Sequence, residues 1–177
     1  MVLFLKELLF IDSNPVIKKE AAIMPIKSES MEKDFLGVSV FNALSKNNIK
    51  NCGDFNECRR LFLLAEKECT GNINEKIFCL AVIDENLNYC KWIDLKWYAI
   101  TCTAFLEKNI GKCMEIRDAF EIAPCIKDFV LNNEDANCGV LSSDWEKACE
   151  AFKNKSRAKC DMIDSGTIKK ACITFLE

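Results

Sequence analysis

Apolar residues recur along this chain at the spacing of a helix face. In the stretch that starts at Asp94, Leu95, Tyr98, Ala99, Cys102, Phe105 and Leu106 follow the i, i+3, i+4, i+7 rule, which predicts an amphipathic helix with Cys102 on its buried stripe. The same test puts Trp145, Ala148, Cys149 and Phe152 on one face of a second helix, and Ile168, Ala171, Cys172, Phe175 and Leu176 on one face of a third. Asp94, Ser143 and Ser165 stand at the starts of these helices and are expected to accept a hydrogen bond from an orphan amide there. Pro124, beside Cys125, is expected to kink its helix or end it early, since proline lacks the amide proton and its ring meets the carbonyl one turn back.

Setting the cysteines in register turns these helices into a repeat. Cys90-Lys-Trp-Ile93-Asp94 leads to Cys102, Cys113-Met-Glu-Ile116-Arg-Asp118 to Cys125, Cys138-Gly-Val-Leu141-Ser-Ser143 to Cys149, and Cys160-Asp-Met-Ile163-Asp164-Ser165 to Cys172. After the second cysteine an aromatic stands one turn on, as Phe105, Phe152 and Phe175. Two earlier copies are more degenerate: Cys69 to Cys79, and a shortened Cys52 to Cys58. Ten residues separate one copy's second cysteine from the next copy's first in every case but Cys125 to Cys138. The period is about 23 residues, in the range of stacked repeat architectures. Each copy is expected to be a short helical turn at its first cysteine and a longer amphipathic helix through its second. Phe41-Asn-Ala-Leu44 aligns with Cys102-Thr-Ala-Phe105, so residues 31–47 are expected to be a capping half-repeat in which Phe41 replaces a second cysteine, with repeats over 48–177. The predicted fold is therefore all-α, a disulfide-stapled helical array of six units, α-solenoid-like, with an N-terminal capping helix.

Connectivity follows from which scheme uses every cysteine. Pairing each second cysteine with the next copy's first leaves Cys52 and Cys172 without neighbours. Pairing inside each copy joins Cys52 with Cys58, Cys69 with Cys79, Cys90 with Cys102, Cys113 with Cys125, Cys138 with Cys149 and Cys160 with Cys172. A loop of this size contributes roughly 3 kcal/mol in the chain-entropy account. Six local staples should spread stability along the array and favour a thermostable fold, because in repeat arrays each unit leans on its neighbours.

Composition bears on what the cysteines are for. A chain of 177 residues is long enough to bury a core without covalent help, so 12 cysteines need an explanation. There is no histidine and no Cys-x2-Cys pair, which argues for disulfides over a structural zinc site. Persistent disulfides indicate an oxidising compartment, extracellular, cell-envelope or virion, with the cytosol of hyperthermophiles as the alternative. Net charge is −3 with acids and bases interspersed, and no basic stripe suited to nucleic acid appears. No apolar run approaches the roughly 20 residues of a membrane span.

Candidate chemistry is sparse. With no histidine, acid–base work would fall to carboxylates, but Asp84-Glu85, Glu134-Asp135 and Asp161 with Asp164 sit at expected turns and helix starts where capping explains them. The expectation is no enzyme, no catalytic residue and no cofactor. Two alternatives stay open: a thiol–disulfide redox protein, or reduced thiols that bind a soft metal such as copper(I) or an iron–sulfur cluster. Trp92, Trp97, Tyr98 and Trp145 read as an aromatic platform or, for most of them, as packing between repeats. Asn154-Lys155-Ser156 fits the glycosylation acceptor pattern.

The Cys-x2-Ile-x-Asp then Cys pattern resembles short paired-cysteine helical repeats of uncharacterised archaeal and bacterial proteins, over about Phe41 to Glu177. That resemblance implies a fold and carries no activity. The Cys69 to Cys79 spacing is more distantly similar to one limb of the coiled-coil-helix-coiled-coil-helix proteins, which would imply nested pairs, Cys69 with Cys102 and Cys79 with Cys90.

Residues 1–30 stand apart, without cysteine and with Pro15, Pro25 and the apolar run Val2–Ile11 interrupted by Lys6 and Glu7. The run makes a poor secretory leader, since it lacks a basic start. It is expected to pack over the first repeats or to dock as an arm on a partner or a second copy. The functional expectation is a non-enzymatic structural or protein-binding module with a protein partner or self-assembly, no nucleic acid and no membrane span.

Overall fold

The computed structural model describes residues 29–176, and no strand occurs among them. The helices are α1 (Glu29–Ser45), α2 (Asn56–Glu68), α3 (Ile73–Ile83), α4 (Leu87–Cys90), α5 (Lys96–Leu106), α6 (Ala119–Asn132), α7 (Ser143–Asn154), α8 (Arg157–Asp161) and α9 (Gly166–Leu176), with 3₁₀ turns at Ile49–Cys52, Ile110–Glu115 and Cys138–Val140. The fold is all-α and repeat-like. The long helices α2, α3, α5, α6, α7 and α9 each carry the second cysteine of one copy, and α1 occupies the place of a long helix ahead of the first copy. The extension expected over residues 1–30 lies almost wholly outside the described residues.

Every cysteine is in a disulfide: Cys52–Cys58, Cys69–Cys79, Cys90–Cys102, Cys113–Cys125, Cys138–Cys149 and Cys160–Cys172. All six bridges lie inside copies. The nested pairs implied by the coiled-coil-helix-coiled-coil-helix resemblance do not form, because Cys69 ends α2 directly against Cys79 of α3, with 5.9 Å between their Cα atoms. The second copy also departs from the expected plan in having no short turn at its first cysteine. There α2 runs on from Cys58 to Glu68, with Cys69 as its C-cap.

Three of the four ten-residue gaps share a structural cause, which also recurs ahead of the first copy. Asn47, Glu85, Lys108 and Lys155 have φ of 44°, 49°, 51° and 50°, the left-handed region, and each stands five positions before a first cysteine. Each follows a helix as the reversal residue of a Schellman turn. The next amide, of Asn48, Asn86, Asn109 or Ser156, donates to the carbonyl five residues back, on Ala43, Ala81, Ala104 or Ala151, at 2.9 Å in each case. These four alanines are at most 1% exposed, so a larger side chain there would collide with the packed neighbour. Asn48, Asn86 and Asn109 then start the next turn by accepting from the amide two residues on. One small buried residue, one reversal and one cap thus set the distance from helix to next cysteine.

Capping differs from expectation at two helix starts. Ser165 Oγ does accept from the Ile168 amide, at 3.4 Å. Asp94 does not cap α5, whose N-cap is Leu95, and Ser143 lies inside α7, whose N-cap is Ser142; neither N-cap residue makes a side-chain cap bond. Asp94 and Asp164 are instead tied to the preceding copy: the Asp94 amide donates to Asn74 Oδ1 at 3.1 Å, and the Asp164 and Ser165 amides donate to Asp144 at 3.2 and 2.9 Å. Asn74 and Asp144 hold the same register position, five residues before a second cysteine, so this is a repeated latch between copies. Pro124 does not end α6, which continues to Asn132. Its missing amide removes one helical bond, and the helix is held across that gap by the buried Cys113–Cys125 bridge and by Ala123, Ile126, Phe129 and Val130, all buried.

The core is divided in two. One cluster runs from Val40 to Cys102 and the other from Ala104 to Cys172. Helix α5 is the wall between them, with Tyr98, Ala99 and Cys102 toward the first and Trp97, Ile100 and Ala104 toward the second. The single stripe expected of α5 was therefore half of the pattern, and Leu95 at its start is 48% exposed. Within each cluster three long helices touch one another, α1, α2 and α3 in the first and α6, α7 and α9 in the second. Each fully buried Leu, Ile or Phe in these clusters contributes about 1.5 to 3 kcal/mol relative to exposure.

Candidate interaction surface

Three of the four Schellman turns place a charged reversal residue on the surface, Glu85, Lys108 and Lys155, and around Lys108 two clefts meet. Helices α3 and α5 end side by side, and between their last turns lies a cleft of about 350 Å³ lined by Val82, Leu87, Phe105 and Leu106, with Glu85 and Glu107 at its edge. Across Lys108 a second cleft of about 350 Å³ is lined by Ile110, Phe129 and Val140, with Glu134 and Asp135 at its edge. Lys108 belongs to both. Val82, Leu87 and Val140 are 36%, 38% and 59% exposed, so apolar surface is open to water on both sides of the ridge. The second cleft exists because the chain takes two extra residues between Cys125 and Cys138, the one break in the ten-residue gap. There α6 runs on to Asn132, and residues 133–137 line the cleft.

The rim is predominantly acidic. Glu85, Glu134 and Asp135 make no ion pair among the described residues, while Glu107 faces Lys112 at 3.7 Å and Lys112 also meets Glu115 at 3.1 Å. Among the described residues, Lys108 is the one cation lining either cleft.

The other sequence candidates resolve into structural roles. Asp84 accepts from Arg60 at 2.5 Å and from the Tyr89 hydroxyl at 3.2 Å, which joins α2 to the end of α3; burial and the Asp84 charge push the Tyr89 phenol up. Asp161 offers its carbonyl to Lys169 at 2.5 Å, and Asp164 pairs with Lys147 at 2.9 Å. The Asp144 carboxyl lies below its ordinary range because the Ser165 and Asp164 amides bond its charged form. The four aromatics do not share a platform. Trp145 is buried in the second cluster, Trp92 stacks on Tyr89 with ring centroids 4.4 Å apart, and Trp97 and Tyr98 meet edge-on at 5.1 Å on α5. Burial pushes the Tyr98 phenol up to about 12, and burial also raises the Asp128 carboxyl. The side-chain amide of Asn154, in the glycosylation pattern, donates to the Glu150 carbonyl at 2.8 Å.

With all 12 cysteines bridged, the chain in this state presents no free thiol. No group of three or more Cys, Asp or Glu is placed to hold a metal ion among the described residues. Among them, too, no helix is long and apolar enough to cross a membrane.

Nothing in the sequence pointed to the paired clefts. Their position depends on the left-handed turns and on the length of α6, and the turn residues themselves share no residue type. Compared with known protein families, with curated proteins and with solved structures, the chain has no match.

Proposed function

We propose that this chain is a non-enzymatic protein-binding module of an extracellular, cell-surface or virion assembly, and that the paired clefts beside Lys108 receive a partner segment carrying apolar side chains flanked by basic ones. The observation behind this reading is the pair of apolar clefts on one acidic rim, with Lys108 lining both. A partner placing one apolar side chain on each side of Lys108 would bury Val82, Leu87 and Val140, and its Lys or Arg residues would face Glu85, Glu134 and Asp135. Charge of that sign would speed encounter and set orientation more than it would add affinity. Six disulfides support the oxidising setting, where such bridges persist. Stapling also suits the role: a surface fixed before contact loses less conformational entropy on binding.

The test is selection of random peptides on the oxidised protein. The expected result is enrichment of sequences with two apolar groups and neighbouring Lys or Arg, whose binding falls at least about tenfold, 1.4 kcal/mol, in Val82→Asp and Val140→Asp. No enrichment, or peptides indifferent to both substitutions, would refute the assignment.

A further inference from the structure

Helix α1 is apolar on two sides and, among the described residues, covered on one. Val40, Ala43 and Leu44 are buried against the array, yet Phe35 and Val38, on the opposite side, are 57% and 59% exposed. The Phe35 ring meets that of Phe55, itself 40% exposed, at 5.2 Å, so the apolar strip continues past the helix. Beside it, Gly37, Val38 and Phe41 form a cleft with Trp92. Helix α5 has the same two-sided pattern, and it has a hydrophobic cluster on each side. A helix that is apolar all round is normally buried all round, so α1 is built for a second layer.

The chain carries one segment suited to that place. Residues 1–28 precede α1, and within them Val2–Ile11 is a ten-residue run that is apolar except for Lys6 and Glu7. The cleft edge offers one charge of each sign in return, Lys91 and Asp94. Reach is sufficient: the 17 residues from Asp12 to Ser28 extend up to about 56 Å, more than twice the roughly 25 Å length of α1. A tether of this kind holds the run at an effective concentration on the order of millimolar, well above that of a second copy in dilute solution. We infer that Val2–Ile11 of the same chain covers the outer side of α1, over Phe35 and Val38 and into the cleft beside Trp92. The capping helix thereby gains a second layer over its outer side.

This rests on none of the argument about the paired clefts. It is tested in the purified, oxidised full chain with the photoreactive residue benzoylphenylalanine in place of Val38 and, separately, in place of Phe35, each variant first shown to keep its six bridges. Irradiation is expected to give mainly products of monomer mass whose crosslinked peptides lie within residues 2–11. Products of dimer mass, or crosslinks that miss residues 2–11 at both positions, would overturn the assignment.

Discussion

The Trp92 indole occupies the space that a Cβ on Gly37 would need: an added carbon would come to 2.2 Å from Nε1. Glycine inside α1 lowers helix stability by about 1 kcal/mol relative to alanine, and it remains there because the third copy's tryptophan reaches back onto the capping helix. Gly37→Ala should therefore destabilise the native chain by about 1 kcal/mol or more, as overpacking exceeds the helix gain. In a Trp92→Ala background the sign should reverse, with Gly37→Ala stabilising by about 1 kcal/mol. Denaturant unfolding of the four proteins of this cycle measures both numbers, and additive effects would show that the two residues are not in contact.

The left-handed residues supply a second prediction. Glu85 and Lys155 adopt φ near 50° and carry a Cβ that this region disfavours. Glu85→Gly and Lys155→Gly should each raise stability by up to about 1 kcal/mol, the relief of left-handed strain less glycine's greater chain entropy. Thermal unfolding would show it as a higher midpoint in each variant.

Access ranks the bridges. Cys79 is the one cysteine that is not buried, and the other eleven are at most 7% exposed. Exchange requires a thiolate to reach a sulfur, so limited reduction followed by alkylation should label Cys69 and Cys79 before any other pair. Preferential early labelling of Cys113 or Cys125, both fully buried, would contradict the packing described for the second cluster.

Asp144 makes the latch between α7 and α9 dependent on pH. Its folded carboxyl titrates below the unfolded value of about 3.9, so its contribution is fully present above that pH and is lost as pH falls through the lower, folded value. Asp144→Ala should accordingly be less stable than the parent at neutral pH, and the difference should shrink as the pH is lowered from about 4. Paired unfolding curves at pH 7 and pH 3 decide it; a difference that does not change with pH would mean that the amides of Asp164 and Ser165 gain nothing from the charge.

Repeat number, helix faces and disulfide pairing were legible because each is written in residue type. Cysteine spacing carries register, and the stripes through Cys149 and Cys172 match the buried sides of α7 and α9. Local cues misled where packing opposed them. Pro124 sits inside α6, where one lost amide bond weighs less than the buried face of a 14-residue helix fastened by Cys125. Asp94 and Ser143 looked like caps, but the backbone begins each helix one residue away from them. The second side of α5 was missed although Trp97 and Ile100 mark it, because Thr101 and Ala104, at 2% and 1% exposure, do not extend them into a readable apolar stripe. The reversal turns were missed because Asn47, Glu85, Lys108 and Lys155 share a conformation and no chemistry; the alanine four residues before each was the available sign. The clefts, which depend on those turns, went unseen with them.

Six bridges, each closed inside one repeat, define the array, and non-reducing peptide mapping of the purified chain tests them most directly. An intact mass 12 hydrogens below the reduced value is expected, two for each of the six bridges, with linked peptides pairing Cys52 with Cys58, Cys69 with Cys79, Cys90 with Cys102, Cys113 with Cys125, Cys138 with Cys149 and Cys160 with Cys172. Links between copies, such as Cys79 with Cys90, or a mass that retains free thiols, would contradict the stapled array and the oxidising setting inferred from it.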